Sequence, residues 1–213
     1  PRTVHGDEPT GVIAEAMKSA SIVLLLTTKS LSHTQARMNA SAAGVRIASM
    51  PAPDPARIEY LLDIDYGKLS ERGEAIASQI RGGRIMRLTS REGTDLTFEI
   101  ENRPLHVDGG DLTAPGSFGN LPAGEVYLSP VEETARGILM IDGSLSQFGE
   151  VTTPIRIEFE KGRPVQVGDP TLREWMESHG PEVFHLAEVG MGTNPRAEVI
   201  GNILEDEKAI GTV

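Results

Sequence analysis

The chain contains no cysteine and few aromatic residues. Among its 213 residues, Phe, Tyr and Trp together make up 4%. The absence of cysteine excludes disulfide bonds, thiolate nucleophiles and zinc–sulfur sites. It fits a cytoplasmic protein, which is the location that we expect. A metal site in this chain would have to combine carboxylates and imidazoles, as hydrolytic metal sites commonly do.

Positive charge and long apolar runs are also scarce. Lys and Arg number 20 against 31 Asp and Glu, so the formal net charge is −11. An acidic chain without a Lys/Arg cluster repels phosphate backbones, which predicts no nucleic-acid partner. The longest apolar run covers residues 22–26, whereas a membrane span needs about 20 residues. We therefore expect no membrane association.

Several common catalytic and binding motifs are missing as well. The segment Gly190-Met191-Gly192 lacks the third glycine of a phosphate loop, and no G-x-S-x-G or H-E-x-x-H segment occurs. The acidic segment at residues 108–111 favours a plain turn over a calcium loop. The histidines that could act chemically are isolated from one another in sequence: His33, His106, His179 and His185. No spacing of Ser, His and Asp indicates a catalytic triad.

The order of predicted elements divides the chain near residue 83. Residues 1–83 form a partial parallel α/β domain. The apolar run at 21–27 suits a strand covered on both faces. A helix begun by a Ser32–Gln35 capping box and a second strand at 45–49 then complete a βαβ crossover. Further helices are predicted at 55–62 and 65–81.

Residues 84–213 form a mixed, mainly antiparallel β domain with a helix. A hairpin is predicted from residues 84–89 and 95–101, because apolar and polar residues alternate around Glu92-Gly93. The remaining predicted elements are strands at 105–107, 126–128, 137–141, 155–159, 164–167 and 184–188, a helix at 170–179 and a short acidic helix or turn at 204–210. The predicted fold class is thus α/β plus α+β, a truncated parallel layer followed by this β domain.

Two carboxylates stand at positions where strands would place them against apolar residues. Glu125 follows the turn at 120–124 and opens a β-prone triplet, and Glu188 interrupts an apolar stretch. A carboxylate just after a tight turn, such as Glu125, is well placed to hold a metal or a substrate amine, and a solvated strand end is the alternative. Glu188 needs a partner or a metal if it is buried, and a strand position that faces water is the alternative. Two glutamates on separate strands could share a cation, although further ligands would have to come from elsewhere.

Four segments together carry a family resemblance. They are TTKSLSHT at 27–34, GSFGNLPAGEVYLSP at 116–130, AEVG at 187–190 and GNILEDEK at 201–208. The chain, from about residue 8 to 213, resembles the thermophilic metalloaminopeptidases of the aminopeptidase T and aminopeptidase S type. The resemblance implies a homodimeric exopeptidase that releases N-terminal residues from peptides with water activated by two metal ions, Zn, Co or Mn. It also implies that Glu125 and Glu188 are metal ligands.

The same resemblance implies a fragment that lacks both family ends. The family's other ligands, His and Asp residues with a catalytic Tyr, align beyond Val213. We therefore expect at most half a metal site and no activity from this chain alone. Two alternatives stay open. One is an iron-dependent dioxygenase that opens dihydroxypyridine rings, and the other is a non-enzymatic self-association module with unpaired strand edges.

Overall fold

The computed structural model describes residues 4–51, 59–61, 63–146 and 148–213. The fold mixes α and β structure, with a parallel sheet and antiparallel sheets, as predicted. The helices are α1 Gly11–Ser19, α2 Gln35–Ala42, α3 Tyr66–Ile80, α4 Pro170–Ser178 and α5 Ile203–Asp206. The strands are β1 Ile22–Thr27, β2 Arg46–Pro51, β3 Ile85–Thr89, β4 Asp95–Glu99, β5 His106–Asp108, β6 Phe118–Asn120, β7 Glu125–Leu128, β8 Arg136–Ile141, β9 Ser144–Leu145, β10 Gly149–Glu150, β11 Ile155–Glu160, β12 Arg163–Val167 and β13 Val189–Gly192.

The first sheet is parallel, in the order β1-β2-β6. Helix α2 joins the parallel strands β1 and β2, so the predicted βαβ crossover is confirmed. The predicted capping residue is wrong. Thr34 caps α2, and its hydroxyl accepts a hydrogen bond from the Arg37 N–H at 3.2 Å. The Ser32 hydroxyl instead shares a hydrogen bond of 3.0 Å with the Ser49 hydroxyl on β2.

Strand β1 is covered on one face only, so the prediction of burial on both faces is wrong. Leu25 is 5% exposed, whereas its neighbour Leu24 is 58% exposed. The cause is what packs on each face: the face with Leu25 meets the core that α1 and α2 supply, whereas Leu24 points to the opposite face. That core consists of Met17, Leu25, Leu31, Ala36, Ala40, Val45 and Ile47.

The largest sheet is antiparallel, in the order β12-β11-β8-β4-β3. The predicted hairpin of β3 and β4 is confirmed, and β11 and β12 pair in the same way. Helix α4 begins where predicted, and the Asp169 side chain accepts a hydrogen bond from the Leu172 N–H at 2.7 Å. The main core lies under this sheet and α4, and its buried members are Leu96, Phe98, Ile100, Leu128, Ala135, Ile157, Phe159, Leu172, Met176 and Val189.

The third sheet is antiparallel, in the order β13-β7-β5. The predicted strand at 184–188 is wrong. A 3₁₀ helix, Pro181–Val183, occupies the preceding residues, and the Leu186 N–H donates to the Gly162 carbonyl at 3.3 Å. Because this N–H serves a turn instead of a neighbouring strand, pairing starts only at β13, one residue after Glu188.

The two parts of the chain exchange elements across residue 83. Helix α3 precedes this residue but contacts β5 and β7 of the third sheet. Strand β6 follows it but pairs with β2 in the parallel sheet. The domain division itself stays a prediction. The helix predicted at 55–62 falls largely outside the described residues. Within the described ranges, no helix has the length and apolar character needed to cross a membrane.

Candidate functional site

The third sheet has one apolar face and one polar face. Register places Asp108, Glu125 and Gly192 side by side, and His106, Tyr127 and Gly190 in the next row. Directly paired residues point to the same side of a sheet and alternate along each strand, so these six share a face, the polar sheet face. On the other side, Val107 and Val126 meet α3 so closely that a Cβ at Gly73 would lie 2.6 Å from Val107 Cγ1.

The turn before β7 fixes the start of the strand and therefore the Glu125 side chain. Gly124 has φ 122°, and a Cβ there would lie 2.6 Å from Asn194 Cβ. Its N–H donates to the Asp108 carbonyl at 2.9 Å, and its carbonyl accepts from the Thr193 N–H at 2.8 Å. Bonds on both sides hold Glu125 inside the sheet, where it is 7% exposed.

The buried partner of Glu125 is Lys208, which is 2% exposed. Lys208 Nζ lies 2.5 Å from Glu125 Oε2 and 2.8 Å from Glu207 Oε1. Burial raises the pKa of Glu125 to about 7, although Lys208 opposes the rise. Burial acts to lower the pKa of Lys208, but Glu207 and Glu125 outweigh it and the pKa rises. Lys208 is therefore an ammonium ion at neutral pH.

Sequence reasoning missed Lys208 as a site residue. The available signal was its place as the cation that ends the acidic segment GNILEDEK. A fully buried Asn194 ties this segment to the turn before β7. Its N–H donates to the Lys208 carbonyl at 2.9 Å, and its side-chain amide donates to the Ala123 carbonyl at 2.8 Å. The ammonium group is thus held over the sheet by hydrogen bonds that are distant in sequence.

Two glycines of β13 make room for this arrangement. A Cβ at Gly190 would lie 2.0 Å from Glu125 Oε1, and one at Gly192 would lie 1.9 Å from the Ala209 carbonyl oxygen. Real Cβ atoms do not approach other atoms so closely, and hence the β13 positions on this face must be glycines, which carry no side chain. Gly190 and Gly192, which lack a phosphate-loop pattern, have a packing role: they admit the Glu125 carboxylate and the turn that carries Lys208.

An aromatic pair lies beside the carboxylates. The rings of His106 and Tyr127 stack with centroids 5.0 Å apart and an interplanar angle of 22°. Burial, followed by the negative charges of Asp108, Glu188 and Glu125, raises the pKa of Tyr127. Burial likewise raises the pKa of Asp108, against the opposing charge of Lys208. Tyr127 therefore keeps its phenolic proton at neutral pH and can donate a hydrogen bond.

Glu188 lies near this site but is exposed, just before β13. Its charge contributes to the raised pKa of Glu125, so the two predicted ligands do interact. Their role as metal ligands stays a prediction. The donor set does not fit a metal centre, because Lys208 already neutralises Glu125. Within the part of the chain that the structure describes, no group of three or more His, Cys, Asp or Glu side chains could hold an ion.

Among the histidines considered earlier, His106 belongs to the polar sheet face. His179 packs on Trp175 with ring centroids 4.3 Å apart, and its Nδ1 lies 2.7 Å from the Trp175 carbonyl oxygen. His185 Nε2 is hydrogen bonded to Arg163 at 2.8 Å. These contacts give His179 and His185 local structural roles.

The chain is similar in sequence to a family of dioxygenases and, over a shorter stretch, to an aminopeptidase. The family model NicX, 2,5-dihydroxypyridine 5,6-dioxygenase, matches residues 4–212. The 2,5-dihydroxypyridine 5,6-dioxygenase of Pseudomonas putida KT2440 is 25% identical over 202 residues, 89% of this chain and 55% of that protein. Aminopeptidase AmpS of Bacillus subtilis is 28% identical over 93 residues, 41% of this chain and 23% of that protein.

Solved structures share the fold. The structure of the Pseudomonas putida KT2440 dioxygenase matches with a TM-score of 0.74 at 23% identity, covering 93% of this chain and 60% of that chain. Wild-type AmpT from Thermus thermophilus matches with a TM-score of 0.63 at 18% identity, covering 93% and 63%. The chain thus spans 55% to 60% of the length of the dioxygenase that it matches.

These findings correct the predicted function. The aminopeptidase prediction is wrong, because the family model and the curated dioxygenase both favour the ring-opening alternative. The resemblance to aminopeptidases of the S and T type is supported in part, by AmpS over a short stretch and by AmpT in fold.

Proposed function

The chain belongs to the NicX family of 2,5-dihydroxypyridine 5,6-dioxygenases, and on that premise we propose that its protein opens a hydroxylated pyridine ring with molecular oxygen. Support comes from the family match over residues 4–212. Because the chain spans 55% of the curated dioxygenase, the activity of the whole protein is a proposal. The role of this chain is to bind the ring and to handle its protons.

The observation that carries the proposal is the Glu125 carboxylate, whose pKa burial raises to about 7. A general base works best when its pKa lies near the operating pH. Glu125 is therefore suited to take a proton from a ring hydroxyl at neutral pH. Lys208, 2.5 Å from Oε2, holds the carboxylate in one orientation while it does so.

The neighbouring aromatic pair suits a flat substrate. The stacked rings of His106 and Tyr127 provide an aromatic surface beside Glu125, and offset stacking on such a surface favours a planar ring. The protonated Tyr127 hydroxyl can donate to an oxygen or nitrogen of that ring. The same face thus offers a stacking surface, a donor and a base.

An iron ion, the metal of the ring-opening alternative, would supply the activation of oxygen when bound. A metal cofactor in general accompanies the family proposal, while the ions Zn, Co and Mn stay a prediction. The homodimer, the cytoplasmic location and the absence of a nucleic-acid partner also remain predictions. A peptide substrate is no longer proposed.

Oxygen uptake tests the proposal directly. The protein, at the length that its gene encodes, is supplied with Fe(II), and 2,5-dihydroxypyridine is added under air. We expect uptake that depends on both protein and substrate, and a loss of about 100-fold or more in Glu125→Gln, the range typical of a missing general base. A folded protein that takes up no oxygen would overturn the proposal.

A matched substitution controls for indirect effects. Glu92 lies exposed in the turn between β3 and β4, which belong to a different sheet from the site. Glu92→Gln removes the same charge and should leave oxygen uptake unchanged. An equal loss in Glu92→Gln and Glu125→Gln would mean that net charge, and not the polar sheet face, governs the activity.

A further inference from the structure

Two carboxylates converge on a single buried point. Lys208 Nζ lies within 2.8 Å of both Glu125 Oε2 and Glu207 Oε1, and the Lys208 side chain is 2% exposed. A third carboxylate, Asp108, also interacts with the Lys208 ammonium. Burial raises the pKa of Asp108, and the charge of Lys208 opposes that rise. A point with converging carboxylate oxygens is what a divalent cation needs, yet an ammonium ion occupies it.

The surrounding contacts keep the ammonium ion at this point. Asn194 donates its N–H to the Lys208 carbonyl and accepts a hydrogen bond from the Ile210 N–H at 3.0 Å, so both sides of the turn are anchored. A Cβ at Gly192 would strike the Ala209 carbonyl, which means that this turn lies directly on β13. These contacts fix the backbone of Lys208 over the sheet, and from there its buried side chain reaches both carboxylates.

Separating the pair would also leave charge buried without compensation. Glu125 is 7% exposed, and removing one partner of a buried ion pair leaves an uncompensated charge in a region of low polarity. A divalent ion can therefore reach Glu125 only by displacing an ammonium ion that is covalently part of the fold.

We propose that Lys208 is a built-in counter-ion that positions Glu125 and takes the place of a divalent cation, so that Glu125 does not bind metal in this protein. Lys208 is accordingly a positioning residue. The inference concerns the site of the proposed function, but it rests on geometry and is tested by metal binding. It can therefore fail while oxygen uptake succeeds, or the reverse.

The test is Mn²⁺ binding, followed by electron paramagnetic resonance, with Lys208→Gln compared with the unaltered protein. Glutamine removes the ammonium charge and leaves the carboxylates of Glu125 and Glu207 facing each other. We expect Lys208→Gln to gain Mn²⁺ affinity of at least about tenfold. The double variant Glu125→Gln/Lys208→Gln should lose that gain. Lys208→Arg, which keeps the positive charge, should bind no more Mn²⁺ than the unaltered protein.

Two results would overturn the inference. One is Mn²⁺ binding by the unaltered protein that weakens in Glu125→Gln, because Glu125 would then be a ligand despite Lys208. The other is a folded Lys208→Gln variant that gains no affinity. If Lys208→Gln does not fold, the comparison of the unaltered protein with Glu125→Gln decides alone: equal Mn²⁺ binding supports the inference, and weaker binding by Glu125→Gln overturns it.

Discussion

Strands β1 and β7 bury their residues in opposite ways. β1, with the sequence IVLLLT, carries no charge, yet Ile22, Leu24 and Leu26 are each more than half exposed. β7, with the sequence EVYL, opens on a carboxylate that is 7% exposed. The difference teaches that the segments packed on a strand outweigh the strand's own hydrophobicity in deciding which residues are buried.

The two strands also differ in what covers them. Helices α1 and α2 supply apolar side chains to one face of β1, so alternate residues remain in solvent. β7 has α3 on its apolar face and the turn carrying Lys208 on its polar face. The charge at the start of β7 is tolerated because that turn supplies a counter-ion and β13 supplies glycines in place of side chains.

The largest expected effect is the difference in the free energy of unfolding between substitutions on the covered face and on the exposed face of β1. Leu25→Ala removes a 5% exposed side chain from the core and should lower the free energy of unfolding by about 2–5 kcal/mol. Leu24→Ala, at a 58% exposed position, should change it by only about 0.5 kcal/mol. Urea unfolding measures both, and equal losses would show that the outer face of β1 is covered in solution.

The buried carboxylate of β7 should make stability depend on pH. The pKa of Glu125 rises from 4.5 to about 7 on folding, so the folded state holds its proton more tightly. The resulting stabilisation is complete below about pH 4.5 and is lost as pH rises to about 7, up to about 3 kcal/mol.

Urea unfolding at several pH values between 4.5 and 7.5 measures this loss. Other carboxylates also titrate in this range, so the informative quantity is the difference between the protein and Glu125→Gln. The variant should show the shallower decline. Parallel pH profiles would mean that Glu125 is not desolvated, which would remove the contrast between β7 and β1.

A smaller effect should follow from filling the bare face of β13. Gly190→Ala places a Cβ where Glu125 Oε1 lies, and such overpacking costs about 1–3 kcal/mol. Gly143→Ala is the control, since a Cβ there meets nothing within 4 Å. In a Glu125→Ala background the cost of Gly190→Ala should shrink, because the clashing carboxylate is gone. An unchanged cost would show that the clash is with other atoms.

Local patterns were sufficient for much of the fold. Alternation around Glu92-Gly93 predicted the β3–β4 hairpin, and the helix predicted at 170–179 begins at Pro170 as α4. Turn chemistry at 120–124 located the start of β7 to within one residue. Residues 184–188 were misassigned because their apolar character suits a strand, while the Leu186 N–H finds its acceptor in the turn at Gly162.

Half of the candidate site could be found in the same way. Glu125 was identified because a carboxylate that follows a tight turn and opens a strand is well placed to hold a metal, and because its segment matches a family motif. Its partner could not be identified, since Glu125 and Lys208 are 83 residues apart. No pattern in the sequence around Glu125 indicates which Lys or Arg the fold places against it. The packing role of Gly190 and Gly192 could not be predicted either. A glycine that is required by packing against a distant segment has no recognisable pattern in the neighbouring sequence.

The sequence by itself determined most element types, the βαβ crossover, the acidic character and a partial family resemblance. These depend on interactions between residues that are near in the chain, or on similarity along it. Tertiary structure alone decided that the apolar β1 is half exposed, that Glu125 faces an ammonium ion, and that β13 is bare. Each of these follows from which distant segment covers a strand, and burial and charge compensation are properties of that contact.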